Sequence, residues 1–138
     1  MKKHVVTLLA VTLIGLSSLA SAQVWNVIKA DVPFQFVANG KAMPAGPCTI
    51  EVRGDSQAIL MIKSGGQNIY VAPTQSETLE ASAVTSLVFH RYGDRYFLAG
   101  INRRGDNRGF ELPAGNVEQE LQAQKVAESD EILLASAK

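Results

Sequence analysis

From residue 28 the even positions read Ile28, Ala30, Val32, Phe34, Phe36 and Ala38, and the odd positions Lys29, Asp31, Pro33, Gln35, Val37 and Asn39. A period of two places one set of side chains on a buried face, so residues 28–38 are predicted to be a strand. Pro33 has no N–H for a ladder and marks an edge strand or a bulge. Asn39-Gly40 tolerates positive φ and predicts a tight hairpin, and Met43-Pro44-Ala45-Gly46-Pro47 predicts a second turn. Cys48, Ile50 and Val52 then alternate with Thr49, Glu51 and Arg53, as in another half-buried strand. Residues 58–62 form an unbroken apolar run, read as a central strand covered on both faces.

Ser64-Gly65-Gly66-Gln67 is a further turn and residues 68–72 the next strand. Residues 73–83 are polar and loop-like, with room for a helical turn near 77–81. Residues 86–91 and 95–102 flank Tyr92-Gly93-Asp94, the clearest hairpin in the chain. A charged loop at 103–109 precedes the one convincing helix, expected over 116–128. Asn116 is its expected N-cap and Gln119 completes a capping-box pair. Its apolar stripe, Val117, Leu121 and Gln124, is thin, which places the helix on the sheet surface. Residues 129–138 read as a tail in which Ile132-Leu133-Leu134 docks or frays. Short strands with frequent turns predict a single antiparallel β-sandwich or small barrel with one C-terminal α-helix. There is no βαβ rhythm and no internal repeat.

The N-terminus has another character. Met1-Lys2-Lys3-His4 is a positive head, residues 5–19 carry no charge, and Ala20-Ser21-Ala22 supplies small residues. This is the layout of a secretory signal peptide cleaved between Ala22 and Gln23. The apolar run is short for a bilayer span, and the only cysteine, Cys48, is far from the cleavage point a lipoprotein would use. The expected organisation is a signal peptide at 1–22, a β domain at 23–128 and a tail at 129–138. The expected location is periplasmic or extracellular, with no membrane span after cleavage.

Removing 22 of the 138 residues leaves 116, with eleven basic and thirteen acidic groups, a net −2. That balance excludes a generic polyanion binder, so no nucleic-acid partner is expected. The apolar content, 46% of the whole chain, is enough for a core and too high for intrinsic disorder.

Candidate chemistry is sparse. The mature chain has one histidine, His90, and one cysteine, which cannot make the usual zinc sets, and neither a metal nor another cofactor is expected. Cys48 shares a face with Ile50 and Val52, so its thiol is predicted to be buried and inert, not paired with His90 as a nucleophile. No G-x-S-x-G elbow accompanies His90, and Gly65-Gly66 lacks the lysine and helix of a phosphate loop. Arg-Gly-Asp occurs at 53–55 and again at 104–106. Gly and Asp are turn residues, and Tyr92-Gly93-Asp94 repeats the pair without arginine, so a turn is the simpler reading than an integrin ligand. The densest polar and aromatic cluster is His90, Arg91, Tyr92, Asp94, Arg95 and Tyr96. It is the candidate binding surface, set against a cross-strand arrangement that merely stabilises the hairpin.

Three segments carry a resemblance. They are Val32-Pro33-Phe34-Gln35-Phe36 with Gly40-Lys41-Ala42-Met43-Pro44-Ala45-Gly46, then residues 89–98, then Glu111-Leu112-Pro113 followed by Glu118-Gln119-Glu120-Leu121. Together they resemble a group of small exported proteins of unknown function from acidobacterial soil bacteria, over most of residues 28–121. The resemblance implies export and a mostly β fold, and supplies no activity. The group carries a tyrosine-like residue after the proline-alanine-glycine turn, where this chain has Cys48. That implies the thiol is not a catalytic group of the family. The expected function is an exported, non-catalytic binding or structural module acting through a sheet edge or hairpin surface. The alternative is a small exported hydrolase using carboxylates or His90. Replacing Arg91, Tyr92 and Arg95 by alanine is expected to weaken partner capture and leave the melting temperature nearly unchanged.

Overall fold

The computed structural model describes residues 27–54 and 58–137. The expected signal peptide and its cleavage point lie outside them, as does Asp55 of the first Arg-Gly-Asp. Strands β1 (Val27–Val32), β4 (Gly46–Arg53), β5 (Ile59–Ser64), β6 (Gln67–Val71) and β12 (Ser136–Ala137) make one sheet, in the order β12-β1-β4-β5-β6. The second sheet runs β11 (Glu128–Leu134), β8 (Ser86–Tyr92), β9 (Arg95–Asn102), β10 (Arg108–Glu111), β7 (Thr74–Glu77). Strand β2 (Phe36–Ala38) pairs β9 off this path, and also pairs β3 (Lys41–Met43). The sheets do not close into a barrel, which decides between the two predicted architectures in favour of two layers. Pairing is antiparallel apart from the β2–β9 bridge at Val37 and Phe97 and an isolated one between Ser82 and Arg104. One helix, α1 (Asn116–Ala123), is present among the described residues.

The predicted strand at 28–38 is two strands in two sheets. The ladder to β4 ends at Val32, and after Pro33 the chain crosses to the second sheet at Phe36. Pro33 cannot extend the ladder, so it sits where the chain leaves it. The alternation survives the crossing, because Ile28, Val32, Phe36 and Ala38 all point into one core. Both Asn39 (φ 50°) and Gly40 (φ 75°) take the left-handed conformation that a two-residue turn demands.

The core lies between the inner faces: Ile50, Leu60 and Ile62 from one sheet meet Phe36, Leu87, Phe89, Leu98 and Ile101 from the other. Leu98 and Ile101 are three apart and still share that face. A bulge opposite Val88 and Phe89 lets the register skip Ala99, whose carbonyl accepts from the Leu112 N–H at 2.8 Å. Cys48 is buried in this core as predicted, and desolvation pushes its thiol up to about 11. In β5, Leu60, Met61 and Ile62 are buried but Ile59 is 45% exposed, and the strand is next to the edge, not central.

Residues 74–77, expected to be loop, are strand β7 against β10, and residues 78–81 carry bends and not the expected helical turn. The helix stops at Ala123, five residues short of the prediction. Its N-cap is Gly115, with no side-chain cap, while the Gln119 amide donates back to the Ala114 carbonyl at 2.8 Å. The predicted tail is the seven-residue edge strand β11, followed by β12 in the other sheet. Alternation there is masked by acidic residues, the usual guard of an exposed edge. Its odd residues face inward and Leu133 packs on the core.

Candidate functional site

Strand β8 alternates: Leu87 and Phe89 go into the core, while His90 and Tyr92 go to the outer face of the second sheet. The adjacent strands bring Asp130 opposite His90 and Glu128 opposite Tyr92 on one side, and Phe97 and Arg95 on the other. Helix α1 lies over this face. Its most buried residue is Glu118, 5% exposed, not Val117, which is 42% exposed. The helix therefore docks through a polar seam and not through the predicted apolar stripe.

Glu118 Oε1 is 2.7 Å from His90 Nδ1 and accepts from the Tyr92 hydroxyl at 3.2 Å. Gln122, one turn on, donates its amide to the same hydroxyl at 3.1 Å. Tyr92 also packs edge-on against Phe97 with ring centres 5.6 Å apart. Desolvation, joined by the negative charge of the nearby carboxylates, pushes the Tyr92 hydroxyl up to about 12. A carboxylate at Nδ1 calls for a proton on that nitrogen and leaves Nε2 facing outward, 4.0 Å from Asp130. Glu128 stands 3.4 Å from Nδ1.

The predicted cluster is thus not one surface. His90 and Tyr92 are committed to the helix. Arg91 lies across the strand from Tyr96, 5.5 Å above its ring, and donates to the Gly93 carbonyl at 2.8 Å. Tyr96 stacks on Phe34 at 3.7 Å at the margin of the core. Asp94 and Arg95 remain at the exposed tip, Arg95 over the Phe97 ring at 5.7 Å. Because Tyr92 is only 3% exposed, the triple alanine variant cannot be neutral for stability.

The Glu118–His90 pair has the orientation of a base and its orienter, but among the described residues no hydroxyl or thiol is hydrogen-bonded to the imidazole. Cys48 is on β4, so the core separates it from the outer-face histidine. The ligating atoms of His90, Glu128 and Asp130 lie within 4.8 Å of one another, yet the two carboxylates address different ring nitrogens and Glu118 already engages Nδ1. The arrangement is that of a histidine hydrogen-bonded to a buried carboxylate. His90 lines none of the three clefts bordered by Asp106, Thr49 and Gly40.

A wide cleft lies at the other end of the second sheet. Six residue steps along β8 separate Tyr92 from Ser86, about 20 Å. There the loops at 78–85 and 103–107 and the crossover from β11 to β12 border an open cleft of about 1090 Å³. Arg103, Arg104 and Arg108 line it with a single carboxylate, Asp106. Asp106 accepts from Arg103 Nη2 at 2.9 Å and from the Arg108 backbone N–H at 2.9 Å, and stands 3.7 Å from Arg108 Nε. Gly105, at φ 78°, donates to the Ser82 carbonyl at 2.8 Å, so this Arg-Gly-Asp is a tight turn held to the neighbouring loop. Sequence reasoning passed over this cleft, because its arginines read as part of a charged loop. The two charged triplets 103–105 and 106–108 were visible, but not that a second loop and a strand crossover close around them.

Compared with protein-family models, curated proteins and solved structures, the chain matches none.

Proposed function

We propose that this chain is an exported, non-catalytic binding module of the cell envelope or secretome that engages its partner at the arginine-lined end of the second sheet. The carrying observation is the contrast in polar satisfaction. The histidine end closes on itself around Glu118, whereas the cleft sets three guanidiniums against one carboxylate. Loops on a rigid sandwich are where binding residues concentrate, and arginine is favoured at recognition surfaces. Export is supported by the charged head, the uncharged run and the Ala20-Ser21-Ala22 end of the first 22 residues, and by the resemblance to small exported acidobacterial proteins. Intact-mass measurement of the exported protein is expected to give a chain beginning at Gln23, and a mass retaining residues 1–22 rejects the cleavage.

The Glu118–His90 pair favours a second reading, a small exported hydrolase. Against it, Cys48 lies in the core away from the imidazole, whose Nδ1 is already engaged by Glu118. The two readings separate on variants of the exported protein. Arg104→Ala with Arg108→Ala is expected to abolish partner retention from envelope extracts, while His90→Gln leaves retention intact. Hydrolysis of an ester or glycoside panel that disappears in His90→Gln would establish the enzyme instead.

A further inference from the structure

We infer that the cleft takes an acidic peptide segment, pairing a ligand carboxylate with Arg104 and Arg108 and an adjacent aliphatic side chain with Val84 and Leu134. The inference rests on the binding reading above and adds the class of ligand.

Charge comes first. Both oxygens of Asp106 are engaged, one by Arg103 and the other by the backbone of Arg108. Arg103 is fixed, lying 5.1 Å above the Phe110 ring and paired with Asp106, and its buried Nε has no acceptor among the described residues. The Arg108 side chain is 58% exposed and its guanidinium reaches Asp106 only at 3.7 Å. Arg104 is exposed and forms no ion pair among the described residues, while its backbone N–H is held by the Thr85 hydroxyl at 3.1 Å. Two guanidiniums on one rim match the forked geometry with which arginine binds carboxylates.

The apolar part narrows the ligand. Val84 and Leu134, 45% and 73% exposed, line the same cleft. Among the described residues no aromatic ring lines it, so they offer no stacking platform of the kind a single-stranded nucleic acid uses. The cleft is open and far larger than an inorganic anion, and its apolar wall is a few aliphatic side chains, Ala83, Val84, Leu134 and Ala135, a match for aliphatic residues of a peptide and too little for a lipid tail. The walls are also held in place. Ser82 N–H donates to the Asp106 carbonyl at 3.0 Å, Thr78 N–H to Asn107 at 2.8 Å and Ala135 N–H to Thr85 at 2.9 Å. A rim fixed this way loses little freedom when a ligand docks.

The test titrates the labelled mature protein with an acetylated pentapeptide of alternating glutamate and leucine, its glutamine counterpart and inorganic phosphate. Amide shifts are expected at residues 84, 104–108 and 134–136. The glutamate peptide is expected to bind at least about tenfold more tightly than the glutamine peptide, and to weaken as salt rises. Arg104→Ala with Arg108→Ala is expected to remove about tenfold or more of that affinity, Arg104→Lys with Arg108→Lys to retain part of it, and Val84→Glu to weaken it by repulsion. Equal binding of the two peptides, phosphate binding as tight as the peptide, or affinity unchanged in the double alanine variant overturns the inference. If the peptide fails while that variant still loses its envelope partner, the ligand class is wrong and the binding reading stands. If neither responds, both fall.

Discussion

The two ends of the second sheet carry similar polar side chains and treat them in opposite ways. Around Tyr92, a histidine, a tyrosine, a glutamate and a glutamine are drawn into one network by a helix laid over the sheet. Burial makes an unpaired polar group costly, so each member of that network is matched. Around Arg104 the sheet ends in loops, no helix among the described residues covers them, and charge in excess of Asp106 is tolerated because water solvates it. The density of polar and aromatic residues in the sequence marks the first end. The proposed binding site lies at the second.

The comparison breaks most sharply at Tyr92. Tyr92→Ala removes a buried ring and leaves Glu118 short of a donor, so denaturant unfolding is expected to lose about 3 kcal/mol or more. Retention of a partner by the folded fraction is expected to be unchanged, and a stable variant that loses retention would reverse the roles of the two ends.

An effect of up to about 2–3 kcal/mol is expected from alkaline pH. The thiol of Cys48 stands at about 11 in the fold against an ordinary value of 9.0, and Tyr92 at about 12 against 10.0. Folding raises both, so their contribution is whole below the unfolded values and is lost as pH climbs through about 9 to 12. Melting curves across that window are expected to show falling stability. Cys48→Ala should flatten the lower part of the decline, and an unchanged profile would mean that the thiol is solvated.

The smallest effect belongs to the hairpin tip. Arg91→Ala and Arg95→Ala remove exposed ring contacts and are expected to alter unfolding by no more than about 0.5 kcal/mol each. Loss of partner retention in this pair, with the cleft variants unaffected, would return the binding surface to the tip.

Local chemistry along the chain determined the two-sided strands, the turns at Asn39-Gly40, Gly65-Gly66 and Gly93-Asp94, and the burial of Cys48, because each depends on a few neighbouring residues and a period of two. It also determined that Pro33 interrupts a ladder. Only the tertiary structure decided that the interruption is a change of sheet, since leaving one ladder does not specify which edge is joined next. The strand at 128–134 was hidden for a related reason. Its Glu128, Asp130 and Glu131 look like a solvated tail, and it becomes a strand only because β8 offers it an unpaired edge. Glu118 carries no local sign of burial and is buried because His90 and Tyr92, nearly thirty residues earlier, wait beneath the helix. The cleft joins residues from positions 83–85, 103–108 and 134–136. Periodicity and propensity are properties of neighbours in sequence, whereas a site assembled across that span is a property of the packing that brings distant backbone together.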